Sequence, residues 1–260
     1  MSGQPRADRV WIALVATFVF TALLTAGVTI VSHGQPLPGV TAALVGLLAA
    51  GVGLGVPTVR DHVVDAWGEH APYVYAAVGL FGLGALIGVA LFAAGVDLVD
   101  FFLELIEEEL GDNGDASFSA TFFVVQNTPP FVLSIVGAIT LGLLTVIIMV
   151  FNGLLLGNIA VAVGAEIGFL RVVALLAPHG IFELPSLFVA AGVGFRLLHR
   201  GGQRVLGNRE AFVTREYLER TAVLVVVAWG FLVLAAFVEA YLTVALADVL
   251  FDDAGGGLTE

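Results

Sequence analysis

Long apolar runs alternate with short polar ones along this chain, and that alternation leaves few folds open. A run of 18 or more residues with few charges can cross a ~30 Å hydrocarbon core as a helix, and inside that core a lone segment must pair its own backbone groups. With 59% hydrophobic and 12% charged residues, the 260-residue chain lies outside the range of soluble globular domains. The expectation is an all-α, polytopic membrane protein of about seven transmembrane helices, one of them short or broken. No loop is long enough to bury a core of its own, so no separate water-soluble domain is expected.

The spans are placed at Val10–Val31, Gly39–Val56, Tyr73–Gly95, Pro129–Phe151, Gly153–Leu176, Gly180–Leu198 and Arg220–Leu246. Pro129-Pro130 would open the fourth span, where a missing N–H costs little, and Asn152-Gly153 would turn the chain into the fifth, the alternative there being a continuous helix with a kink. The first run lacks a small-residue cleavage site and reads as a retained span rather than a signal peptide. Pro57–Pro72 and 199–219 read as polar loops, with His33, His62 and His70 solvated. Val96, Val99, Leu103, Ile106 and Leu110 alternate with Asp97, Asp100, Glu104 and Glu107, the pattern of an amphipathic helix lying in the interface. Residues 247–260 read as an acidic disordered tail. The division is a two-helix extension and loop (1–72), a membrane core (73–246) and that tail.

Arg6, Arg9, Arg60, Arg196, Arg200, Arg204, Arg209, Arg215 and Arg220 all fall on one side of this threading. The positive-inside rule then puts the N-terminus in the cytoplasm and the C-terminus outside, in the cell membrane. The basic run 196–220 serves as that topology signal or, alternatively, meets anionic lipid. All ten basic residues are Arg, against 22 acidic residues, and lysine-free anionic loops of this kind point to a high-salt setting where like charges are screened. The same charge disfavours nucleic acid as a partner. With no cysteine, disulfides, thiolate metal sites and a cysteine nucleophile are excluded.

Polar residues inside apolar runs are the candidate functional groups, because ionisable side chains at membrane depth must pair or face a cavity. Asn127, Glu166, Arg171, His179, Glu183 and Glu239 converge on the outer half of the membrane in this threading, with Arg171 expected to pair with Glu166, Glu183 or Glu239. His179 and Glu183 stand at i and i+4, on one helix face. They either share a hydrogen bond that caps a broken helix, with Gly180 as its flexible joint, or form a proton- or ion-handling site of the kind discontinuous helices build. Two ligands are too few for a metal site, so no metal and no cofactor are expected. Asn152, Asn158 and Arg196 make a second, inner cluster that either caps helix ends or forms a gate or docking surface. Gly84 and Gly88 suit close helix contact, and Gly153, Gly157, Ala160, Gly164 and Gly168 put one small stripe along a helix face.

Asn127, Phe151–Gly157 (FNGLLLG), Pro178–Pro185 (PHGIFELP) and the A-A-G-x-G-x-R-L run Ala190–Leu197 together resemble the stage II sporulation protein M family over roughly residues 78–245. The pair Val10–Val56 departs from it as an addition, and Gln126 stands where the family often has Asn or His. The resemblance implies an integral membrane protein, here of a halophilic archaeal kind. The best known bacterial members act with partner proteins in remodelling the envelope during spore engulfment; many others, archaeal ones included, do not sporulate. The expected function is a non-enzymatic component of a membrane assembly, with the bilayer and other membrane proteins or a second copy as partners. The alternative is a transporter, channel or flippase using a polar site around His179 and Glu183. An intramembrane hydrolase ranks last, since neither a Ser/His pair with oxyanion glycines nor an adjacent glutamate pair stands within a span.

Overall fold

A computed structural model describes residues 4–101 and 118–251. Described elements are helical: α1 (Gln4–Val31), α2 (Pro36–Gly55), α3 (Pro57–Ala93), α4 (Ala120–Val136) with a 3-10 turn at Gly137–Thr140, α5 (Leu143–Ile167), α6 (Phe169–Val205) and α7 (Arg215–Phe237), which passes through a π-helical segment (Val238–Thr243) into α8 (Val244–Phe251). Seven of the resulting helical rods are long and apolar enough to cross a membrane. The amphipathic helix expected over 96–110 lies mostly outside the described residues, as does the tail beyond Phe251; residues 247–251 belong to α8 rather than to a disordered tail.

Several boundaries differ from those expected. The fourth rod begins at Ala120, capped by Ser119, whose Oγ accepts from Phe122 N–H at 3.3 Å. Pro129 and Pro130 therefore lie inside α4, where Thr128 and Ser134 donate to the carbonyls of Val124 and Pro130 (2.6 and 2.7 Å). The chain reverses at Leu141-Gly142, both left-handed (φ 55° and 82°), and not at Asn152-Gly153. In α5 the Asn152 amide donates to the Ile148 carbonyl one turn back (2.8 Å), so a dipeptide that would turn a chain in water continues a helix in lipid. The next reversal is the single residue Gly168 (φ 91°), a conformation that a Cβ would strain. Downstream, α6 runs unbroken for 37 residues through Pro178, Gly180 and Pro185, so the sixth span is neither short nor broken. The irregular rod is the seventh, at its π segment. Residues 57–72 are likewise helix, the first turns of α3.

Small residues decide how closely the rods pack. A Cβ on Gly84 or Gly88 would collide with the carbonyls of Val150 or Leu154 on α5, and one on Gly153 or Gly157 with those of Phe81 or Ala85 on α3. The two backbones thus touch reciprocally along one seam. The expected small stripe divides there. A methyl on Gly164 would make only ordinary contacts with Phe169 and Val172 (3.7–3.9 Å), Gly168 is the turn, and a methyl on Gly180 would meet open space, so Gly180 is neither a packing residue nor a joint. The N-terminal hairpin repeats the device: Gly39, Gly46 and Gly53 sit against Ile30, Ala22 and Val15, and the Trp11 indole donates to the Gly53 carbonyl (2.8 Å). This hairpin packs on the rest of the bundle through Phe18 and Ala22 against Phe182, Leu234, Val238 and Leu242.

Candidate functional site

The core of the bundle holds a polar constellation drawn from two rods. His179 and Glu183, one turn apart on α6, face Glu239 in the π segment, and one ligand atom from each lies within 4.8 Å of the others. His179 Nε2 is 4.0 Å from Glu239 Oε1, with the two side chains 12% and 25% exposed. On the far side of the imidazole, Nδ1 lies 3.5 Å from Thr243 Oγ1, whose hydroxyl donates to the Val238 carbonyl at 3.1 Å. One irregularity makes this possible. The π turn, with its wider i→i+5 pairing, sets Glu239 and Thr243 together toward α6, while Phe182 and Val238, the chain neighbours of Glu183 and Glu239, pack with Leu242 against α1.

The π segment is also held from outside. His33, exposed in the turn between α1 and α2, bonds through Nε2 to the Tyr241 carbonyl at 2.9 Å. It is thus a docking residue rather than a freely solvated one. The remaining residues expected in this cluster lie elsewhere. Glu166 and Arg171 flank the Gly168 turn, both exposed; among the described residues no carboxylate pairs with Arg171, and its guanidinium lies over the Phe251 ring, 5.4 Å from the centroid. The turn at Gly168, ten residues before the one expected, puts both at the end of the bundle. Asn127 is half-buried on α4 and hydrogen-bonds to none of the three; beside it the buried Gln126 Oε1 has no partner among the described residues.

The inner cluster of Asn152, Asn158 and Arg196 separates because the chain turns at Leu141-Gly142 and not at Asn152-Gly153. Asn152 is mid-helix. Asn158, fully buried near the other end of α5, receives Leu98 N–H (2.8 Å) and donates to the carbonyls of Gly88 (3.1 Å) and Val96 (2.9 Å), stitching the chain where it leaves α3. Arg196 belongs to a network at the arginine-bearing end. There Glu69 of α3 accepts from Arg220 (2.6 Å) and Arg196 (3.3 Å), and Arg200 lies 3.8 Å away. Arg200 is buried, stacked over the Tyr217 ring and donating to the Phe212 carbonyl (3.0 Å). His70, expected in solvent, is fully buried against Tyr217 and bonded to the Ala66 carbonyl (2.7 Å). Tyr73 bridges Arg196 and His199. A sequence signal for this network existed: Glu69 and Tyr73 are one turn apart, as are Arg196 and Arg200.

The two clusters differ in charge balance. Around Glu69 three guanidinium groups share one carboxylate at a partly wetted helix end, with Arg220 also reaching Glu216 at 3.5 Å. Around His179 two carboxylates meet one imidazole within the spanning region, where each ionised group costs ~2.5–3.5 kcal/mol on insertion scales, and among the described residues no arginine pairs with them. A group of that kind is neutralised by protons or by a cation.

Among known proteins, the chain is similar to the uncharacterized protein MJ0793 of Methanocaldococcus jannaschii, with 30% identity over 134 residues, 51% of this chain and 75% of that relative. No solved structure matches. The family model for Stage II sporulation protein M matches residues 76–244, a span that starts in α3 and takes in the Glu239 turn and His179 alike. On that match, over more than half its length, the chain belongs to the Stage II sporulation protein M family.

Proposed function

We propose that the protein is a non-enzymatic component of a cell-membrane assembly, acting with other membrane proteins or with a second copy of itself. The observation that carries this reading is the α3/α5 seam, where Gly84, Gly88, Gly153 and Gly157 bring two backbones into reciprocal contact. Helices fitted at that distance lose the contact if one slides or rocks past the other, because packed interfaces are not continuously deformable. A bundle locked in this way suits a scaffold better than an alternating-access carrier. The test is purification from native membranes in mild detergent, with Glu183→Gln as a parallel bait. A stoichiometric membrane partner, or a defined oligomer, supports the reading; a monodisperse, partner-free monomer sinks it.

A second reading is favoured by one specific observation, the His179–Glu183–Glu239 group inside the spanning region. Such groups line substrate and ion pathways in transporters and channels. Cation flux into liposomes that is abolished in Glu183→Gln would replace the scaffold reading by this one.

A further inference from the structure

We propose that His179, Glu183 and Glu239 form a binding site for one divalent first-row transition-metal cation, a site independent of whether the protein acts as scaffold or carrier. The donor set is the first ground. One imidazole nitrogen and two carboxylates from two different helices converge with their ligand atoms inside 4.8 Å. Such mixed nitrogen and oxygen sets suit zinc and its first-row neighbours, and three protein ligands leave further positions open. Metal–ligand bonds of ~2.0–2.2 Å set adjacent ligands roughly 3–3.5 Å apart. The 4.0 Å between His179 Nε2 and Glu239 Oε1 closes to that range by side-chain shifts of under an ångström or so.

The second ground is the orientation of the imidazole. Thr243 spends its hydroxyl proton on the Val238 carbonyl, so its oxygen is left to accept from His179 Nδ1. The tautomer assigned from this network carries the proton on Nδ1 and turns the Nε2 lone pair toward Glu239. A lone pair facing a carboxylate is repulsive, and it becomes favourable when a cation sits between them. Giving the second ring N–H an oxygen acceptor is also how metal-bound histidines are commonly held. The third ground is charge. Two carboxylates stand next in sequence to Phe182 and Val238, which are packed in an apolar core cluster, and Arg171, the nearest cation in sequence, lies over Phe251 instead. A divalent cation neutralises both.

The π segment explains why Glu239 can take part. Its wide turn departs from regular α spacing around the metal-facing residue, an arrangement that recurs at functional sites. Among the described residues, His179, Glu183 and Glu239 are the cluster of three such ligands that could hold an ion.

The test uses the full chain in detergent, stripped with a chelator, desalted and titrated with Co(II) and then Zn(II). One equivalent of Co(II), with a visible d–d band that Zn(II) displaces, is the expected result. Glu239→Gln and Glu183→Gln should abolish the band while the protein elutes unchanged on size exclusion. Thr243→Val should weaken binding about ten- to a hundredfold, the usual effect of removing an outer partner of a metal-bound histidine. Absence of stoichiometric binding overturns the proposal, and so does binding that all three variants retain. If a glutamine variant fails to survive extraction, the X-ray absorption spectrum of zinc bound to the unaltered chain decides. One imidazole with oxygen ligands supports the site; two or more imidazoles place the metal elsewhere and overturn it.

Discussion

Glu69 shows how much one side chain can organise. It joins α3 to the last turns of α6 through Arg196 and Arg200 and to the start of α7 through Arg220. Replacing it with Gln keeps the shape and removes the charge, taking the carboxylate from Arg196 and Arg200 and leaving Arg220 only its more exposed partner Glu216 (3.5 Å). Breaking a fully buried pair costs ~3–5 kcal/mol, and with a quarter of the Glu69 side chain exposed a loss of about 1–3 kcal/mol is expected. Arg215→Leu removes an exposed i,i+4 pair with Glu219 and should leave thermal unfolding in detergent unchanged. Equal shifts for the two variants would show that the network is only a row of surface pairs. At this scale the sequence was partly legible. His179 and Glu183 share a face because of their spacing alone, and Glu239 was expected near them. Thr243, Glu69 and the burial of His70 were not expected, because each depends on which helix lies opposite, and spacing within one helix carries no such information.

For the elements, number was easier to read than position. Apolar length fixes seven rods, since a hydrocarbon core admits few alternatives. Turns inside apolar sequence are harder, because the punctuation that marks a turn in water was absent at Leu141-Gly142 and misleading at Asn152-Gly153. In lipid, Asn152 satisfies its own helix, and Gly153 is there for the backbone of α3. That difference gives a direct contrast between two glycines on different helices. Gly153→Ala pushes a methyl group against the Phe81 carbonyl, which as backbone cannot move aside, and should cost about 1–3 kcal/mol. Gly180→Ala meets open space in a helix interior and should be neutral or stabilising by roughly 0.5–1 kcal/mol. Melting temperatures of the two purified variants check both. Destabilisation by Gly180→Ala would restore the flexible joint that the continuous α6 removes.

The whole molecule has two unlike ends. One carries the arginine network and the loop between α6 and α7; the other carries the turns at 32–35 and Gly168 and the Asn158 stitch. We propose, from the positive-inside rule, that the first end faces the cytoplasm. Because the chain has no cysteine, single substitutions report sidedness without background. Asn208→Cys should resist an impermeant thiol reagent added to intact cells, and Glu166→Cys should react with it; the reverse pattern would invert the protein. The π segment has one more consequence, which concerns helical phase. Each residue advances an α-helix by about 100°, so a turn that accommodates one residue too many rotates everything beyond it by that angle relative to an uninterrupted rod. The face that α8 offers, including Phe251 beneath Arg171, is therefore set by the bulge at Glu239. Deleting a single residue there would straighten the rod and swing that face away, so the polar centre and the far tip of the seventh rod share one geometric setting.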